Sequence, residues 1–135
     1  MNSRFLAATG VGPLLDELAA ALPGTEAVVL LSTDGLELAM AASTTPAAAT
    51  NLAAVAAGLH AVAEAANRNN GGRRVDQSLV ETDYRMLVVL PVAPGALLAV
   101  LFDAVSDLDG TRTKIAWFAD RLGIRMTRAD LVQTS

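Results

Sequence analysis

The stretch that decides the fold is residues 46–68, PAAATNLAAVAAGLHAVAEAANR. Thr45 stands where a helix N-cap is needed and Pro46 at the first helical position, where a missing N–H costs nothing, so the run opens as a helix. At ~1.5 Å per residue it extends for about 23 residues, roughly 35 Å, to about Arg68. Asn67-Arg68-Asn69-Asn70-Gly71-Gly72 stops it, because Asn and Gly accept the left-handed conformation of a helix terminus. With His60 neutral, no charge occurs between Pro46 and Ala63, and the apolar residues go round the whole cylinder. A helix apolar on every side is buried on more than one side. One side belongs to the chain's own sheet, and a partner is the simplest cover for the other. Alanine and Gly58 keep that surface smooth enough for close approach. Leu52, Val55, Leu59 and Val62, spaced by three and four, supply larger knobs, and Leu59→Glu is expected to split or unfold a dimer. The length also suits a membrane span. Alanine contributes little to insertion, however, and Asn51, Gly58, His60 and Glu64 interrupt the run, so no membrane insertion is expected.

The flanks fill in the rest of the fold. Before this helix, Leu14, Leu15, Leu18 and Leu22 at helical spacing predict a short amphipathic helix closed by Pro23-Gly24. Ala27 to Leu31 is a continuous apolar run of strand length. Asp34-Gly35 turns it back into Leu36, Leu38 and Met40, which alternate with Glu37, Ala39 and Ala41. After the long helix, Val75 to Glu81 is polar enough for a strand near a sheet edge. Met86 to Leu90 and Ala96 to Phe102, joined through Pro94-Gly95, are two apolar strands that belong in the middle of an antiparallel sheet. Leu108, Ile115, Phe118, Leu122 and Met126 share one face of a final helix. The predicted order is helix, two strands, helix, three strands, helix, in an α+β chain that forms one domain over residues 1–135 with its core between about 10 and 128.

Composition narrows the function. The 135 residues are 53% hydrophobic and 18% charged, so the chain can bury a core and is not of the disordered class. Alanine makes up a fifth of the sequence, and only five residues are aromatic, so broad aromatic binding surfaces are not expected. A net charge of −4 offers no global basic field for nucleic acid. Without cysteine there are no disulfides, thiolate nucleophiles or cysteine-bound metals, which fits a reducing cytosol. The opening MNSRFLAATGVG is a poor leader because Thr9, Gly10 and Gly12 break its apolar run.

Catalytic and ligand motifs fail on inspection. His60 is the one histidine, with only Glu64 a turn away, which is too little for a metal site or an acid–base pair. Gly10-Val11-Gly12 lacks the third glycine and the preceding strand of a dinucleotide fingerprint. Gly71-Gly72-Arg73-Arg74 lacks the Lys-Ser/Thr pair of a phosphate loop. Asp107-Leu108-Asp109-Gly110 resembles part of a calcium loop, but register puts Val105 and Ala116 at ligand positions, so it reads as a helix start. No cofactor and no metal are therefore expected. Lys114, Trp117, Arg121, Arg125 and Arg128 form a basic stripe on the last helix, and Arg68, Arg73 and Arg74 a smaller cluster at the end of the long one. A solvated face is the plainer reading of both.

The hairpin Leu30-Leu31-Ser32-Thr33-Asp34-Gly35-Leu36, the helix carrying Leu52-Ala53-Ala54-Val55-Ala56-Ala57-Gly58-Leu59, and the strand Gln77-Ser78-Leu79-Val80-Glu81 with the apolar strands after it resemble the Roadblock / dynein light chain family, especially its actinobacterial members. The resemblance covers about Leu14 to Leu122. It implies an α-β-β-α-β-β-β-α, profilin-like fold in which a five-stranded antiparallel sheet carries the long helix on one face and the terminal helices on the other. It also implies a homodimer built by pairing the long helix and the third strand, with Leu52, Val55, Ala56, Leu59, Val62, Ala63, Gln77 and Leu79 as candidate interface residues. His60, Asn67, Arg68, Arg73 and Arg74 are candidate partner contacts. The implied role is a non-enzymatic regulator or scaffold of a small Ras-like GTPase, in the cytoplasm, working with a sensor kinase and recruited to the membrane through partners. No catalytic residue carries over. The competing reading is a PAS-like small-molecule sensor, disfavoured because the apolar strands offer almost no polar groups to a pocket.

Overall fold

Three strands are apolar on both faces, and the chain sets them side by side. The computed structural model describes residues 10–103 and 107–134, with side chains to residue 127. The Met1–Thr9 part of the opening segment and the Arg128 side chain lie outside them. Five antiparallel strands, β1 (Thr25–Ser32), β2 (Glu37–Met40), β3 (Ser78–Glu81), β4 (Arg85–Ala93) and β5 (Ala96–Asp103), form one sheet in the order β2-β1-β5-β4-β3. The unbroken apolar strands β1, β5 and β4 take the three interior places, and the short polar ones take the edges. That division is what two-sided burial demands.

Helices cover both faces. α1 (Val11–Ala21) and α3 (Leu108–Thr134) lie on one side, where Leu14, Leu15, Leu18, Ile115, Phe118, Leu122 and Met126 pack against Val28, Leu30, Val88, Leu98, Val100 and Phe102. Among the described residues α2 (Pro46–Asn69) is the one helix on the other, over Val29, Leu31, Leu87, Val89, Leu97 and Ala99. Neighbouring residues of β1, β4 and β5 thus belong alternately to two separate cores.

Local chemistry explains the element boundaries. Thr45 caps α2 by accepting a hydrogen bond from the Ala48 N–H at 3.2 Å, with Pro46 inside it as expected. Asp107 caps α3, its Oδ1 accepting from the Gly110 N–H at 3.0 Å, which is the helix-start reading of the Asp-Leu-Asp-Gly run. The β1–β2 loop closes through Gly35 at φ +94°, and the β4–β5 loop is Pro94-Gly95, with Gly95 at φ +79°. A hydrogen bond of 3.0 Å from the Thr33 N–H to the Gly95 carbonyl ties these two turns together at one end of the sheet. At the opposite end of β4, the Glu26 carboxylate accepts from Arg85 Nε and, by hydrogen bond and charge, raises the guanidinium pKa above its ordinary value.

Two expectations need correction. The third strand begins at Ser78, so Val75, Asp76 and Gln77 form an extended strap leading from α2 to β3 and take no part in the sheet. β4 continues through Pro91 to Ala93, beyond the expected stop at Leu90, because the register irregularity after Pro91 accommodates a residue without an N–H.

Two substitutions test this packing. Thr44 is buried, and its Oγ1 accepts from the Val28 N–H at 3.0 Å, so Thr44→Val is expected to cost about 1–3 kcal/mol in urea denaturation. A Cβ at Gly123 would collide with the Val92 carbonyl oxygen of β4, a backbone atom held in the sheet. Gly123→Ala is expected to destabilise by about 1–3 kcal/mol, read as a lowered melting temperature.

Candidate interaction surface

The long helix divides lengthwise. Ala49, Leu52, Ala53, Ala56, Ala57 and His60 are buried against the chain's own sheet. The opposite row consists of Ala47, Asn51, Ala54, Val55, Gly58, Ala61, Val62 and Ala66, all exposed and none charged. Val55 is 58% and Val62 68% exposed, and a Cβ placed at Gly58 would meet nothing within 4 Å. The row is roughly 30 Å long, smooth and, apart from Asn51, apolar. Surfaces of this kind mark interaction sites.

This split sorts the candidate interface residues. Val55 and Val62 point outward and Ala63 is half-buried. Leu52 and Ala56 are corrected: at 7% and 0% exposure they already serve the inner core and have almost no surface left to offer a partner. Leu59 is half-buried and packs on the same inner core, so Leu59→Glu would disturb the fold itself as well as any association. Heptad-like spacing of three and four groups residues on a helix but does not say which group faces in.

The β3 edge supplies a second element. β3 pairs with β4 alone, so its other edge carries no strand among the described residues. Val80 joins the core under α2, which puts Leu79 on the α3 side of the sheet, 40% exposed. Gln77 precedes the strand, and its Oε1 accepts from Arg112 Nε of α3 at 3.4 Å. Ser78 is buried, and its Oγ has no hydrogen-bond partner among the described residues.

The candidate partner contacts gather where α2 ends. His60, expected as a partner contact, is 93% buried in the chain's own fold, its Nε2–H donating to Glu64 Oε1 at 2.8 Å, while Nδ1 has no partner among the described residues. Arg68 lies 3.7 Å from the other Glu64 oxygen. Asn67 is occupied, its amide donating to the Arg74 carbonyl at 2.7 Å and its backbone carbonyl accepting from the Gly72 N–H at 2.8 Å, so it fastens the strap to the helix. Arg74 pairs with Asp76 at 2.9 Å, and Arg73 is exposed with no ion-pair partner among the described residues. Together with the β4–β5 turn, His60, Glu64, Arg73 and Arg74 line a cleft of about 420 Å³. This cleft is not legible in the sequence, because its polar groups come from the helix and the strap, segments that only the fold brings beside the apolar strands. Among the described residues no cluster of three or more metal-ligating side chains occurs.

On α3, the guanidinium of Arg121 sits 4.2 Å from the centre of the Trp117 ring, itself half exposed, as a cation–π contact. Lys114, Arg121 and Arg125 lie along that flank and are exposed. Helix α2 is long and apolar enough to cross a membrane by length and composition, but its inner side forms one of the two cores of the sheet.

The profile of the Roadblock/LC7 domain matches residues 12–102, most of the described chain. The chain belongs to the Roadblock/LC7 family. Among solved structures, a Roadblock/LC7 domain from Streptomyces avermitilis superposes with a TM-score of 0.80 and 30% identity, over 86% of this chain and 97% of that one. MglB from Myxococcus xanthus gives a TM-score of 0.80 at 22% identity, over 89% of this chain and 97% of that one. Profilin II from Acanthamoeba castellanii shares the fold at a TM-score of 0.56 and 15% identity, over 80% and 92% of the two chains. Comparison with curated proteins finds no match. This Roadblock/LC7 chain thus has the element order and the two-faced helical cover that its sequence implied.

The inward and outward rows of α2 should respond differently to truncation. Leu52→Ala is expected to cost about 2–5 kcal/mol in urea denaturation, since it hollows the inner core. Val55→Ser, measured at high dilution, is expected to stay within about 0.5 kcal/mol.

Proposed function

We propose that this chain is a homodimeric, non-enzymatic regulator or scaffold of a small Ras-like GTPase, resident in the cytoplasm of a bacterium. The observation that carries the proposal is the uncharged, exposed outer row of α2 in a member of the Roadblock/LC7 family. A second copy of the chain meets this row with an identical one about a twofold axis, Val55 and Val62 packing where Gly58 and the alanines leave room. The free edge of β3 extends the contact from the helix layer to the sheet layer. Burial of about 800 Å² per partner is the usual scale of a stable complex, and a helix face roughly 30 Å long together with a strand edge is of that order.

The link to a Ras-like GTPase rests on family membership and on the likeness of the Leu30–Leu36 hairpin and the Leu52–Leu59 helix segment to actinobacterial members associated with such GTPases. The dimer would present a composite surface that includes Arg68 and the strap arginines from both copies. A sensor kinase in the same assembly, and recruitment to the membrane through it, complete the reading.

Light scattering at micromolar concentration should give the mass of two 13.9 kDa chains. Val62→Glu places a charge within the contact without touching the inner core, so it should weaken the dimer at least about a hundredfold while leaving the circular dichroism unchanged. A wild-type monomer would end the dimer proposal. A pull-down against candidate GTPases loaded with GDP or a non-hydrolysable GTP analogue tests the partner. Absence of capture in both nucleotide states across the GTPases encoded beside this chain would sink that part.

A further inference from the structure

We propose that the cleft at the turn end of the sheet binds a compact free anion, a carboxylate or phosphate monoester with a short apolar body, with Arg73 as the residue that receives its charge. The assignment rests on the cleft alone and is independent of the GTPase reading. Four segments that are separate in sequence make the cleft: the C-terminal part of α2, the strap at Arg73–Val75, the β4–β5 turn with its flanking strand ends, and Thr33 of the β1–β2 loop. Its volume of about 420 Å³ lies within the range of small-ligand sites. Pro91 and Leu97, a cross-strand pair on the α2 side of the sheet, contribute an apolar floor.

Charge sets the class of ligand. Between residues 61 and 76 there are three arginines and two carboxylates, a local positive excess on a chain whose net charge is −4. Both carboxylates are spent. Glu64 accepts from His60 Nε2 at 2.8 Å with one oxygen and faces Arg68 at 3.7 Å with the other. Asp76 holds Arg74 at 2.9 Å. Arg73 is left lining the cleft as the cation without a counter-ion among the described residues. A cationic ligand would have to displace His60 or Arg68 from Glu64, whereas an anion needs only to displace water from Arg73. His60 acts as a positioning residue. It is buried, and its hydrogen bond engages one oxygen of Glu64, a carboxylate that also lines the cleft.

The strap is rigid enough to hold Arg73 there. Asn67 grips the Arg74 carbonyl, and its carbonyl accepts from Gly72, whose missing Cβ leaves space for the Asn67 side chain. On the far wall the turn is braced by the Thr33 hydrogen bond to Gly95. Walls held in place before binding reduce the ordering cost that a ligand must overcome.

The test is a titration of the isotope-labelled protein, followed by NMR, with inorganic phosphate, with n-butyl phosphate and with a blocked acidic tripeptide, Leu-Glu-Leu. The proposal expects saturable shifts confined to the strap, the end of α2 and the β4–β5 turn, with n-butyl phosphate binding at least about fivefold tighter than phosphate because of the floor. Arg73→Gln should weaken that binding about tenfold, and Arg121→Gln, on the other side of the sheet, should not change it. Asn67→Ala, which frees the strap, should weaken it while leaving the melting temperature close to wild type. Shifts that do not saturate, that saturate at the wild-type concentration in Arg73→Gln, or that spread equally to the α3 arginines overturn the assignment. Tighter binding of the tripeptide than of n-butyl phosphate also overturns it, making the cleft a docking place for a partner's acidic side chain.

Discussion

The structure depends on burying β1, β4 and β5 from both sides. Each of these strands alternates its side chains between two apolar cores, and neither face can meet water without exposing Val, Leu or Phe. Two layers of helix are therefore required, and the chain provides them unequally. α1 and α3 share one face, and among the described residues α2 is the one helix covering the other. The sheet edges fall to β2 and β3 because only those strands tolerate an uncovered side.

From that inequality comes the character of α2. A single helix spread over a five-stranded sheet must approach closely, and Ala49, Ala53, Ala56 and Ala57 permit it where larger side chains would hold the layers apart. The same alanine-rich composition makes the outward row small and uncharged. The helix is thus suited on its inner side to the fold and on its outer side to another surface of similar smoothness. It ends in a different chemistry, an Asn/Gly/Arg segment that is polar, hydrogen-bonded to itself through Asn67, and bent back toward the sheet as a strap. The apolar row and the basic strap are thus neighbours in the chain but different in chemistry.

Much of this was legible in the chain. The caps at Thr45 and Asp107, the turns at Gly35 and Gly95, and the order of the elements all follow from local stereochemistry, in which a residue's own conformational limits suffice. The apolar runs of β1, β4 and β5 also marked them as interior strands. What the linear pattern left undecided was direction. Leu52 and Val55 look alike as members of a three-and-four spacing, yet one is core and the other is surface. His60, between Leu59 and Ala61, was legible as a lone histidine, but its burial on the inner side of α2 depended on where the sheet would lie.

By itself, the sequence determined which segments become helix, strand and turn, and that one helix carries too little charge for a face in water. Those properties are set by side-chain volume, backbone limits and solvation at each position. The tertiary structure alone decided which row of that helix is spent on the sheet, and it alone brought Glu64, Arg73 and the β4–β5 turn to one cleft. Burial and proximity between distant segments depend on how whole layers pack, and no single position encodes that.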